Sequence, residues 1–117
     1  RSDVIEIEVP PFSQNYGQIE YKVTMQAGDA LTFSWKSDLP VIYEMHGHTM
    51  AGHEGDDIVV MDYVAGQGAE MHGQLVAPID GIHGWYFANS VLDDPAKIEI
   101  RLSGYYELAP GLMVLSR

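Results

Sequence analysis

The residues best equipped for chemistry lie between Tyr43 and Asp57. This stretch carries His46, His48 and His53 among the five histidines of the chain, with Met45 and Met50 among its six methionines. Glu44, Glu54, Asp56 and Asp57 add carboxylates. Imidazole suits zinc and copper, thioether suits Cu(I), and carboxylate adds hard oxygen donors. Glycines 47, 52 and 55 give the backbone freedom to turn these groups toward one point. His46 and His48 are two apart, so on a strand both imidazoles face the same side and can share one ion. His53 and Met50 can fold back onto that pair. A thioether in the set favours Cu(I), and a carboxylate in its place favours zinc or Cu(II). The plainer alternative is an acidic, solvated loop with incidental histidines.

Two further histidines need weighing. His72 follows Glu70 by two residues, so both share a strand face; the simple reading is outward surface polarity. His83 lies in Gly81-Ile-His-Gly-Trp-Tyr-Phe-Ala-Asn89, with Trp85 and Phe87 on its own face. A histidine in such a setting is more often a hydrogen-bonded core residue than a ligand, although it can complete a site built from the His46 end. There is no cysteine, which excludes disulfides, thiolate metal sites and a nucleophilic thiol. No nucleophile elbow, phosphate-binding loop or basic patch is present.

The elements that must position these residues show a period of two. Ile5, Ile7 and Val9 alternate with Glu6 and Glu8 before Pro10-Pro11 ends the run. Ile19, Tyr21, Val23 and Met25 alternate with Glu20, Lys22 and Thr24. After the turn Gln26-Ala-Gly-Asp29, Leu31, Phe33 and Trp35 alternate again, which reads as a hairpin. Ser37-Asp-Leu-Pro40 is expected to break the chain before a short strand from Val41 to His46. A run from Ile58 to Val64 is expected to turn at Ala65-Gly-Gln-Gly68 into a separate strand from Glu70 to Val76. Ile82–Ala88 and Lys97–Leu102 complete the set, with a bend at Gly104 before Tyr105–Leu108. The reading is a single all-β domain, an antiparallel β-sandwich with Greek-key or jelly-roll connections and helix confined to a turn.

With 117 residues the chain fits one domain that builds its own core. Six Lys and Arg stand against 17 Asp and Glu, a formal charge of −11. That field repels nucleic acid and anionic membranes and favours cations and basic partners. No apolar run approaches the ~20 residues that span a bilayer as helix. The chain begins at Arg1 rather than Met, which reads as a processed or truncated piece.

Three resemblances bear on function. Gly28-Asp29, the alternating Leu31, Phe33 and Trp35, and the following histidine-bearing loop resemble the start of a cupredoxin-type sandwich, without the cysteine of a blue-copper site. His46-x-His48 followed by Glu54 resembles the first metal motif of cupins, with Pro78 to Asn89 in the place of their second. The broadest resemblance runs from about Gln18 to Leu108. Ala27-Gly-Asp29, Tyr43 to Gly47, Ala77-Pro78, Gly81-Ile-His-Gly-Trp-Tyr86, Asn89 and Ser103-Gly-Tyr-Tyr-Glu-Leu108 are similar to bacterial domains of GOLD-like β-sandwich type that follow one N-terminal membrane anchor. This resemblance implies a periplasmic or otherwise extracytoplasmic domain tethered by an anchor outside this chain, and implies no activity.

The leading expectation is therefore a non-enzymatic metal-binding domain for copper or zinc. His46 and His48 form its centre, with His53, Met50, His72 and His83 as further candidates. The rival is an interaction or sensory domain whose edge strands or loops bind a protein without metal. A cupin-like metalloenzyme is the third reading, and it requires a closed pocket with an open coordination position.

Overall fold

The computed structural model describes residues 1–49, 60–109 and 113–114. The alternation read from the sequence becomes strand throughout, with no α-helix among these residues and one short 3-10 turn at Asn15–Gly17. The strands are β1 (Ser2–Val9), β2 (Gln18–Met25), β3 (Ala30–His48), β4 (Val60–Val76), β5 (Gly81–Ala88), β6 (Ala96–Gly104), β7 (Glu107–Leu108) and β8 (Met113–Val114). All pairings are antiparallel. The expected all-β antiparallel architecture is the one the chain adopts. Its strands form one continuous eight-stranded sheet, ordered β1-β6-β3-β5-β2-β7 with β4 also on β3 and β8 also on β2, curled into a half-barrel.

The curl follows from β3. Its first half, Leu31–Ser37, pairs with β6, and its second half, Ile42–His48, pairs with β5. Along the other edge β4 follows it through both halves. Ser37-Asp-Leu-Pro40 does not end the strand as expected. The strand runs on through it, and the β4 register shifts between Lys36 and Val41. There Asp38 accepts the Lys97 N–H at 2.8 Å, and Ser37 Oγ accepts the Leu39 N–H at 3.3 Å. A proline is tolerated at such an irregularity because no regular ladder bond is asked of it.

Ala65-Gly-Gln-Gly68 also departs from expectation, for it lies inside β4 rather than at a turn. Gly66 sits opposite Tyr43, and a Cβ there would lie 2.6 Å from the Tyr43 hydroxyl. The glycine admits the aromatic ring of the neighbouring strand, so it serves cross-strand packing and not chain reversal.

The inward residues close on each other across the curl. Ile5 faces Ile100 and Ile7 faces Ile98 between β1 and β6. Trp35, Trp85, Phe87, Ile19, Val23 and Val41 are all essentially inaccessible. Trp35 meets Tyr43 edge-on at 5.2 Å and Phe87 at 5.0 Å, the geometry that ring quadrupoles favour. The indole N–H groups of Trp35 and Trp85 find no acceptor in this core, a cost that the buried ring area must outweigh. At the β1 margin Tyr106 donates its hydroxyl to Asp3 Oδ2 at 2.6 Å, and Arg1 Nε donates to the same oxygen at 2.8 Å.

Candidate functional site

The second half of β3 presents Met45 to the core and His46 and His48 to the outer face. Cross-strand register sets their neighbours. His46, Gly84 and Lys22 form one outer row over β3, β5 and β2, and Glu44, Tyr86 and Glu20 form the next. Gly84 is the gap in this surface. A Cβ there would lie 2.5 Å from the Tyr21 carbonyl oxygen, so no side chain is admitted. His46 reaches across that gap to β2, where its Nε2 lies 2.8 Å from Glu20 Oε1. Lys22 Nζ stands 3.6 Å from the other oxygen of the same carboxylate.

The pair is largely covered, with side-chain exposures of 21% for His46 and 12% for Glu20. Each partner shifts the other. The hydrogen bond to Glu20 raises the His46 pKa above its ordinary 6.5 against the opposing effect of burial, and Glu44 adds to the rise. The same bond, helped by Lys22, lowers the Glu20 pKa below 4.5. When protonated, His46 donates to ionised Glu20, and this charge-assisted bond ties β2 to β3 across β5.

His48 is held differently. Its Nδ1–H donates to the Thr49 carbonyl oxygen at 2.8 Å, since a carbonyl only accepts. In the neutral ring this leaves Nε2 as the nitrogen with a lone pair, the arrangement seen where a backbone carbonyl fixes a ligating histidine.

His83 lies on the other side of the sheet, in the core, with no exposed surface. Tyr63 donates its hydroxyl to Nδ1 at 2.7 Å, and Nε2–H donates to the Ile79 carbonyl oxygen at 3.1 Å. The two rings stack at 5.9 Å with 15° between planes. Both ring nitrogens are thus engaged by a neutral imidazole, and burial lowers the His83 pKa accordingly.

His72 pairs with Ser34 toward the opposite end of the β3–β4 ladder from His46 and Asp62. It lines an open groove of about 850 Å³ with Ser34, Arg101 and Ser103. His53 and Met50 lie outside the described residues, as do Glu54, Asp56 and Asp57. The structure therefore places His46 and His48 on one face and sets His83 and His72 apart from them. Among the described residues no group of three or more His, Asp or Glu side chains is placed to hold a metal ion.

Sequence reasoning missed Glu20, Lys22 and Tyr63. Glu20 and Lys22 alternate in phase on β2, but only the β2–β5–β3 register brings Glu20 to His46, and Tyr63 falls at the β3–β4 register shift opposite Met45 and His46.

The shifts fix a pH behaviour. The raised His46 pKa stabilises the fold below about 6.5, and this is lost as pH rises through the folded value. The lowered Glu20 pKa stabilises it above about 4.5, lost as pH falls through the folded value. The pair is therefore strongest between those limits. Buried neutral His83 acts in the opposite sense to His46, because acidification below 6.5 forces a charge into the core. Histidine NMR should show His46 titrating above 6.5 and His83 below it. Glu20→Gln should lower the His46 midpoint and cost roughly 1.5–3 kcal/mol near pH 5.5, as expected for a bond to a charged group. An unmoved His46 midpoint in that variant would contradict the assignment.

No protein-family model matches the chain, and no curated protein matches it.

Proposed function

We propose that the chain is a binding domain that takes an extended, basic segment of another protein along the free edge of β4. The observation that carries this reading is the ladder of β4 itself. Its 17 residues, Val60–Val76, pair with β3 along one edge, and no described strand pairs with the other. At ~3.3 Å per residue that is a long row of alternate N–H and C=O groups open to a further strand. Edges that avoid pairing usually carry lysine, proline or a short length. β4 has no Lys, Arg or Pro, and its charged residues are Asp62 and Glu70. A formal charge of −11 repels a second copy of the chain and attracts a basic strand. Strand addition supplies main-chain bonds for affinity and alternate side-chain positions for specificity. A tethered extracytoplasmic location, implied by the GOLD-like resemblance, would present this edge to partners outside the cytoplasm and belongs to the same proposal.

The test uses immobilised peptides that alternate β-branched and basic residues. The chain should bind them, and Asp62→Lys with Gln67→Lys and Glu70→Lys should weaken binding by about tenfold or more, equivalent to ~1.4 kcal/mol. Absence of binding, or equal binding by the triple variant, would remove the reading.

A second reading is favoured by the tautomer of His48. With Nδ1 tied to Thr49, its Nε2 keeps a lone pair in the neutral ring, on the sheet face that also carries His46, and imidazole suits zinc or copper. His53 and Met50 would complete the sphere, and a shift toward Met50 would favour Cu(I). Binding must first strip the proton that Glu20 holds on His46. Zinc affinity by calorimetry should therefore fall steeply from about pH 7.5 to 5.5. His46→Ala with His48→Ala should abolish stoichiometric binding, and unchanged affinity would exclude the site.

A further inference from the structure

The ladder of β4 is not uniform along its length. Its pairing with β3 stays in step from Glu70 opposite Lys36 to Val76 opposite Ala30. Elsewhere it is interrupted. Ala69 is passed over between the partners of Lys36 and Val41, and Tyr63 between those of Met45 and His46. An extra residue bends a strand and disrupts its ladder locally. Glu70–Val76 is therefore the longest stretch of β4 that a further strand can follow without a break.

β3 shows what this stretch accepts as a neighbour. On the core side Phe33 stands opposite Gly73. A Cβ on Gly73 would lie 3.2 Å from Phe33 Cζ, so the missing side chain is what admits the ring edge. Half-buried Met71 and buried Leu75 flank the glycine on the same face. On the outer face Lys36 stands opposite Glu70, in a row that continues through Glu99 to Glu6. One lysine thus shares a row with three carboxylates. Glu99 turns to Arg101 on its own strand, and among the described residues no ion pair joins Lys36 to Glu70.

The outer edge of the stretch presents the same two features to an incoming strand. A residue placed opposite Gly73 meets no side chain there, and a large ring can reach over the glycine to the edge of Phe33. A residue placed opposite Glu70 extends a row that is short of positive charge. Glu70 and Gly73 are three apart, so the two requirements fall on opposite faces of the incoming strand. All pairings among the described strands are antiparallel, and in that sense the ring comes three residues before the base. β3 itself carries the pattern as Phe33-Ser-Trp-Lys36. A second copy of β4 does not, because Glu70-Met-His-Gly-Gln-Leu-Val76 holds no Phe, Tyr, Trp, Lys or Arg.

We propose that Glu70–Val76 binds a seven-residue segment of another protein as an added antiparallel strand, with an aromatic residue opposite Gly73 and a lysine or arginine opposite Glu70. This rests on strand addition to β4 and fixes its register, its direction and the chemistry of the partner. The ring covers the core margin at Met71 and Gly73, and the base answers the row of Glu6, Glu99 and Glu70.

The experiment is an amide NMR titration of the whole chain with the capped peptide Thr-Val-Thr-Phe-Thr-Val-Lys and three relatives. One relative replaces Phe by Ala, one replaces Lys by Glu, and one reverses the order. The parent peptide should cause saturable shifts and slow alternate amides within 70–76. Loss of the ring should weaken binding by about tenfold, equivalent to ~1.4 kcal/mol. The Glu peptide and the reversed peptide should each bind about threefold more weakly or worse, the scale of one cross-strand pair. In Glu70→Lys the charge preference should invert, so that the Glu peptide binds more tightly than the parent. Equal weakening of both peptides in that variant would overturn the proposal, as would equal binding of the parent and the Ala peptide. Shifts confined to 60–67 would overturn this register while leaving strand addition to β4 in place. Failure of every alternating peptide to bind would overturn both.

Discussion

One strand belonging to both halves of the curl is the constraint on which this structure rests. β3 bonds to β6 through Leu31–Ser37 and to β5 through Ile42–His48, with β4 along its other edge throughout. A straight strand would hold all its neighbours in one open sheet with one face in water. The register shift with β4 at Ser37-Asp-Leu-Pro40 falls where β3 changes partner from β6 to β5, and Trp35 before it and Val41 and Met45 after it share one core. Among the described residues no strand covers the outer edge of β4.

The two-residue period then sorts the chemistry. Met45 and His83 enter the core, while His46, His48, Glu20 and Lys22 remain outside. Histidines that look like one group along the chain become different objects. His83 is a neutral core imidazole gripped at both nitrogens. His46 is a partly covered imidazole bonded to the Glu20 carboxylate, which favours its protonated form. His48 is an imidazole whose tautomer the backbone selects. The sheet could not bring His83 to the same point as His46 without a slip of one residue, and such a slip would turn Trp85 and Phe87 out to water.

Much of the fold was legible because alternation is a local signal. Ile5–Val9, Ile19–Met25, Leu31–Trp35 and Ile98–Leu102 each declare an inner face within a few residues, and each inner face is buried, partly at Ile5 and Tyr21 and fully elsewhere. The continuity of β3 and β4 was not legible, because Pro40 and the Gly66–Gly68 segment carry turn chemistry that tertiary packing overrides. The Asp38 bond to Lys97 and a glycine placed under Tyr43 both depend on partners far along the chain. The face shared by His46 and His48 followed from spacing alone. Glu20 did not, since its approach to His46 needs the β2–β5–β3 register and the gap at Gly84.

Among the described residues β3 is the doubly bonded spine of the sheet and no strand pairs with the outer edge of β4; native-state hydrogen exchange addresses both at once. Amides of β3 at 31–36 and 42–48, in segments paired along both edges, should be among the slowest in the chain. In β4, alternate amides from Val60 to Val76 should be protected by β3, and those between them should exchange orders of magnitude faster. Uniform protection of β4 at the level of β3 would mean that its outer edge is already occupied, and would contradict the account.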